Sequence, residues 1–244
     1  IIFGQDLAGL GGSVKYLRSR INGGQWFPLG SGFILSLTAE AGHIFSLEKQ
    51  RYDNTTTPPT AIEKVRLTDR FFLGEPQLRG FDIRGVGPRV LRYSVDQNGN
   101  RVDQISDDAL GGKLYYLAHA EIEIPLGSGA REMGLRPSVF VDVGAVAGIH
   151  DPKVSPKLQG VCRDASGSDT APTGFNTCAT GSSLILSAFD ETFVGDTLKP
   201  RLSVGFGVNW NSPFGPFRID IAKALLHEPG DDTKLITFNI GTQF

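Results

Sequence analysis

The chain has no apolar run approaching the roughly 18 residues of a membrane-spanning helix, and its mean hydropathy is −0.09. A helical membrane protein is thereby excluded. A barrel is not, because its strands alternate apolar and polar residues and average out in such a measure. Charge is nearly balanced at −2, with no basic stripe interleaved with aromatics, so nucleic acid is not an expected partner. The four histidines, His43, His119, His150 and His227, are scattered, and no Cys or His stands at metal-ligand spacing; no metal or cofactor is expected. G-x-S-x-G, H-E-x-x-H and P-loop motifs are all missing. Two enzymatic readings remain, a hydrolase built on His119 with a nearby Ser and an acid/base pair of Glu121 and Glu123. A hydrated sheet face explains those residues equally well, and an enzyme is not expected.

Nor does the start, Ile1-Ile2-Phe3, carry the charged region and cleavage site of a signal peptide. It reads as the interior of a strand, so a fragment of a larger exported protein is expected. Cysteine is scarce: Cys162 and Cys178 flank a stretch rich in Gly, Ser, Thr and Asp. In an exported protein that pattern favours a disulfide closing a surface loop over two free thiols. A loop of about 15 residues would restrict the unfolded chain by about 3 kcal/mol.

What the sequence does have is period-two alternation. Phe33, Leu35, Leu37, Ala39 and Ala41 fall on one face, with Ser36, Thr38, Glu40 and Gly42 on the other. In 114–125, Leu114, Tyr116, Ala118, Ala120, Ile122 and Ile124 oppose His119, Glu121 and Glu123. Over 136–148, Val139, Val141, Val143 and Ala145 oppose Phe140, Asp142 and Gly144. Over 201–210, Leu202, Val204, Phe206, Val208 and Trp210 oppose Ser203, Gly205, Gly207 and Asn209, and later Ile219 and Ile221 oppose Arg218 and Asp220. The final strand sets Ile236, Phe238, Ile240 and Phe244 against Thr237, Asn239, Gly241 and Gln243. Carboxylates do not face hydrocarbon cheaply, so the polar face is the wet one. A strand over 14–22 is expected to close at Asn22-Gly23-Gly24, a tight-turn signature. Residues 46–113 are expected to form a long loop and 149–198 an extracellular loop, the other connections being short. Short turns on one side and long loops on the other fit an outer-membrane barrel. A soluble β-sandwich also alternates, but its inward faces would be apolar and its polar faces less rich in Gly and Ser.

Within 46–113 lies Arg70-Phe71-Phe72-Leu73-Gly74-Glu75-Pro76-Gln77-Leu78-Arg79-Gly80-Phe81, running on to Gly85-Val86-Gly87-Pro88-Arg89. A loop this long is functional or disordered, and Phe71, Phe72, Leu78 and Phe81 argue for docking onto the protein itself. Arg79 is the expected polar anchor. A guanidinium inside a barrel needs acceptors matched to its fork, and Glu121 and Asp142, inward on adjacent strands, are the candidates. Gly80 permits close backbone approach, and Phe81 can wedge against the wall.

This stretch resembles the Arg-Gly-Phe loop of the bacterial surface antigen family. Asp107-Asp108-Ala109-Leu110-Gly111-Gly112, Phe140-Val141-Asp142-Val143-Gly144, Asn211-Ser212-Pro213-Phe214-Gly215-Pro216 and Phe238-Asn239-Ile240-Gly241-Thr242-Gln243-Phe244 are similar to the same family in the same order. The first 60 or so residues match only in strand pattern. The resemblance implies an all-β fold, an antiparallel transmembrane β-barrel, of which about eight strands here form the C-terminal half of a sixteen-stranded whole. The POTRA domains that precede such barrels lie outside residues 1–244, and both edges of a half-sheet would be unpaired.

By the same resemblance the parent assembles and inserts β-barrel proteins in the bacterial outer membrane without chemical catalysis. Its partners would be the outer-membrane lipid bilayer, unfolded outer-membrane protein clients, accessory assembly lipoproteins and the N-terminal half of the barrel. Leu78, Arg79, Gly80 and Phe81 would anchor the loop on Glu121 and Asp142. Phe238, Ile240, Gly241 and Phe244 would form the C-terminal β-signal, at a weak seam able to pair with client strands. The alternatives are a polypeptide-translocating pore of the same superfamily, a two-partner secretion transporter, and a TamA-type assembly factor.

Overall fold

The computed structural model describes residues 1–9, 14–54, 59–127, 133–154, 157–212 and 215–240. The chain begins with β1 (Ile2–Ala8), β2 (Tyr16–Gly30) and β3 (Phe33–Ser46). The first long insertion holds β4 (Arg51–Asp53), β5 (Thr60–Ile62), β6 (Arg89–Val95) and β7 (Arg101–Ala109). Next come β8 (Leu114–Glu123) and β9 (Leu135–Ala147). A second insertion holds β10 (Val161–Arg163), β11 (Asp169–Thr170), β12 (Ser183–Leu186) and β13 (Phe189–Val194). The chain returns through β14 (Arg201–Ser212), β15 (Gly215–Leu226) and β16 (Ile236–Ile240).

Eight of these strands form one antiparallel sheet in the order β1-β2-β3-β8-β9-β14-β15-β16. It is a meander interrupted by the two insertions. Among the described residues β1 and β16 each pair on one side only, so the sheet is a partial barrel and does not close on itself. Alternation sets its faces. On β15, Ile219 and Ile221 are 48% and 50% exposed while Asp220 between them is 1% exposed. On β9, Val139 and Val141 are exposed while Ser138, Phe140 and Asp142 are buried. Buried carboxylates within and exposed aliphatics without are the reverse of a soluble sandwich, and the pattern suits a lipid-facing wall.

Two local expectations fail. Asn22-Gly23-Gly24 is not a turn: β2 continues through it, pairing Asn22, Gly23 and Gly24 with Glu40, Ala39 and Thr38. A turn there would strip the ladder partners from Phe33–Leu37 on β3. The chain reverses instead at Ser31 and Gly32, both at positive φ (52° and 88°), as a tight hairpin requires. Residues 46–113 are likewise not one irregular loop. β3 reaches Ser46, β4 and β5 pair, and β6 lies between β7 and β13 in a three-stranded side sheet. Asp107 and Asp108 belong to β7 and pair with Leu91 and Val90. Leu91 and Val95 of β6 are buried, which gives this hairpin an apolar face of its own. In the second insertion β10, β11 and β12 form another small sheet, fastened by a disulfide between Cys162 and Cys178.

Candidate functional site

The buried apolar cluster lies between the inner wall and the stretch that precedes β6. Val65, Phe71, Leu73, Leu78, Phe81 and Val86 come from that stretch, and Ile44, Tyr115, Leu117 and Val146 from β3, β8 and β9. The loop therefore supplies most of the buried core of this partial barrel. Burying Leu78 and Phe81, each 0% exposed, stabilises the docked loop by about 1.5–3 kcal/mol apiece. Backbone pairs fix its path, through bridges Phe71↔Gly112 and Leu73↔Val86. Arg70 braces the entrance, donating to Val65 O (3.0 Å) and Leu110 O (2.9 Å). Next to Arg70, Phe71 packs on Tyr115 with ring centroids 4.4 Å apart.

Arg79 occupies the centre. Its Nε and Nη2 donate to Asp142 Oδ2 (2.7 Å) and Oδ1 (2.6 Å), a two-pronged fit of guanidinium on carboxylate. Its Nη1 donates to Glu121 Oε2 at 2.7 Å, and its backbone N–H donates to Asp142 Oδ2 at 3.2 Å. Beneath it the Phe140 ring centroid is 3.4 Å from Cζ, within cation–π range. Burial alone would lower the Arg79 pKa, but Asp142 and Glu121 outweigh it and raise the value. Gly80 has φ +86°, and a Cβ there would lie 3.0 Å from Ser203 Cβ and 3.3 Å from Ala222 Cβ. Only glycine lets the backbone turn so close to β14 and β15.

The arrangement holds more charge than the sequence singled out. Arg218 on β15 places Nη2 3.2 Å from Glu121 Oε1, and its Nε donates to Asp220 Oδ2 at 2.8 Å. Ser138 Oγ donates to Glu121 Oε1 at 2.6 Å, and His119 Nδ1 lies 3.0 Å from Asp142 Oδ1. Glu121 is thus shared by two guanidiniums. Alternation put Arg218 and Asp220 on the inner face, and that was the available signal. The contact of Arg218 with Glu121, three strands away across β9 and β14, depends on register. Glu121 and Asp142 come together with Arg79 because Glu121 pairs with Phe140 on β9, two residues from Asp142.

The last strand is a separate region. Phe238 and Ile240 are 55% and 61% exposed on the outer face, and Gly241 and Phe244 lie outside the described residues, as do Pro213 and Phe214 of the short turn. Phe238 stacks on Phe217 (6.0 Å), which packs on Trp210 (5.7 Å), an aromatic row of the type found at membrane interfaces.

An open antiparallel sheet, apolar outside and charged within, with its own loop folded into the concave side, is the wall of a transmembrane β-barrel. More particularly, the chain belongs to the Omp85 superfamily, whose domain matches residues 2–244, and it is an outer-membrane barrel protein. It is 32% identical over 245 residues to the outer membrane protein assembly factor BamA of Neorickettsia risticii, covering 99% of this chain and 24% of that protein. It is 25% identical over 240 residues to BamA of Neisseria meningitidis serogroup B, covering 98% of this chain and 25% of the relative. The chain thus spans about a quarter of the length of the curated relatives it matches. In fold it is similar to the crystal structure of BamA from Haemophilus ducreyi lacking POTRA domains 1–3. There the TM-score is 0.59 and the identity 21%, over 95% of this chain and 36% of the other.

Proposed function

We propose that this chain is the C-terminal half of a barrel that assembles and inserts other β-barrel proteins into the outer membrane, without chemical catalysis. The observation that carries the reading is the Arg79 fork on Asp142 and Glu121, which seats a whole loop inside the wall. It is supported by relatives named as assembly factors over nearly the full chain. The physical task is to let a client strand enter hydrocarbon without leaving backbone N–H and C=O groups unpaired. A strand edge at the seam meets that need by β-augmentation, and among the described residues β16 pairs on one side only. In this reading the loop anchor is Leu78, Arg79, Gly80 and Phe81, and the seam is Phe238, Ile240, Gly241 and Phe244. The partners are the bilayer, unfolded clients, accessory lipoproteins and the N-terminal half of the barrel.

A translocating pore of the two-partner secretion type is the rival, and the number of upstream POTRA domains would separate a TamA-type factor. The test is insertion of a urea-unfolded barrel client into liposomes carrying the full-length parent. Faster insertion than in empty liposomes, reduced by Arg79→Ala, is expected. A parent that passes an unfolded polypeptide across the bilayer yet leaves client insertion at the lipid-only rate would replace this reading with the pore.

A further inference from the structure

The connection between β15 and β16, residues 227–235, is fastened to the Arg79 loop. Phe81 and Thr233 form an antiparallel bridge. Asp82 N–H donates to Asp232 O (3.0 Å), Lys234 N–H to Gly80 O (3.1 Å), and Asp232 N–H to Gly85 O (2.8 Å). Immediately after Arg79, then, the loop acquires a short strand from the last hairpin.

Side chains secure the same contact from its flanks. Lys234 Nζ reaches Glu75 Oε2 at 3.0 Å and Asp82 Oδ1 at 3.3 Å, while Arg89 Nη1 donates to Asp232 Oδ2 at 2.8 Å. Asp231 faces Arg201 at the start of β14, with both side chains 0% exposed and Nε 2.9 Å from Oδ2. Lys234 stands two residues before Ile236, where β16 begins. Among the described residues β16 pairs with β15 alone, from Ile221↔Ile236 to Phe217↔Ile240. The entry to this singly paired strand is therefore held by the same loop that Arg79 holds.

We infer that residues 231–234 couple the Arg79 anchor to the last strand, with Asp232 and Lys234 as positioning residues. While Arg79 sits on Asp142 and Glu121, Gly80 and Asp82 present their backbone groups to the hairpin and β16 is kept in register on β15. When Arg79 leaves, the pairing at 81–82 goes with it and the outer end of β16 is released. The coupling is a property of the fold, and its test does not use client insertion, so it stands or falls separately from the proposed activity.

Amide hydrogen exchange on the full-length parent in a bilayer reads it directly. Arg79→Ala, and separately the pair Asp232→Asn with Lys234→Ala, are expected to speed exchange at Ile236–Ile240 by about tenfold, leaving the β1–β2 pair at the opposite edge of the sheet unchanged. Combining all three substitutions adds little to either set, because both act through one contact. Faster exchange in 80–85 with β16 unaffected, or effects on β16 that simply add, would overturn the inference. Should Arg79→Ala prevent folding, Arg79→Lys is compared with and without a cross-link between Asp82→Cys and Asp232→Cys. The cross-link is expected to abolish the loosening of β16, and loosening that persists through it refutes the coupling.

Discussion

The guanidinium of Arg79 sits 3.4 Å from the centre of the Phe140 ring, and the ring can lie there because residue 205, its register partner on β14, has no side chain. A Cβ at Gly205 would overlap the edge of the Phe140 ring. Gly205→Ala should therefore displace the ring and the arginine above it, with an overpacking cost of about 1–3 kcal/mol. The expected result is a lower urea midpoint and faster proteolysis in 64–88. A variant as resistant as the parent would show that the ring does not support the anchor.

Arg79→Lys keeps the charge and loses the fork. A lysine ammonium cannot present two parallel donors to Asp142 while a third reaches Glu121. Removing one partner of a buried pair costs about 3–5 kcal/mol, so Arg79→Ala should sit at that level and Arg79→Lys close to it. Equilibrium unfolding of the two variants distinguishes geometry from charge: if Lys restores parental stability, net charge alone holds the loop.

The inner placement of Glu121 and Asp142 was legible because alternation on β8 and β9 is unbroken, and Arg79 stood out within a Gly/Pro-punctuated stretch. Arg218 and Asp220 were on the correct face but had no visible partner. On a flat sheet three strand spacings put about 14 Å between the β8 and β15 backbones, a gap closed here by register, curvature and a long side chain together. Arg89, Arg201, Asp231 and Asp232 were hidden for another reason. Arg89 and Arg201 open β6 and β14, but their acceptors Asp231 and Asp232 lie in the connection between β15 and β16, where no period carries information. Asn22-Gly23-Gly24 misled because a turn signature is local, whereas the ladder that overrides it comes from β3.

Arg218 also holds a buried carboxylate on its own strand, Asp220. Arg218→Ala leaves Asp220, 1% exposed, without the guanidinium 2.8 Å away. The expected loss is about 3–5 kcal/mol. Arg218→Ala with Asp220→Asn should lose less than the two single effects summed, with a coupling of about 1–3 kcal/mol. Unfolding of the four proteins in one detergent measures the coupling, and strict additivity would remove Arg218 from the network.

The Cys162–Cys178 bond closes a 16-residue separation in the second insertion. Replacing both cysteines by serine should destabilise that small sheet by about 3 kcal/mol through the freed loop. Proteolysis within 160–187 is expected to accelerate while 64–88 stays protected. Equal acceleration in both would mean that the outer sheet and the Arg79 loop unfold as one unit.

Asp107 gives the outer region a pH dependence of defined sign. Burial and the nearby Asp232 raise its pKa from 3.8 to about 6, although Arg89, which both carboxylates contact, acts to lower it. Between those two values the folded state holds a proton that the unfolded state has lost. Stability from this group is then fully present below about 4, declines as pH rises through about 6, and levels off above that. Asp107→Asn, which cannot ionise, should flatten that part of the profile. The measurement is hydrogen exchange in β6 and β7 of both proteins across pH 4 to 7, corrected for intrinsic rates. A decline of the same size in Asp107→Asn would contradict the assignment, since that side chain can no longer take up the proton.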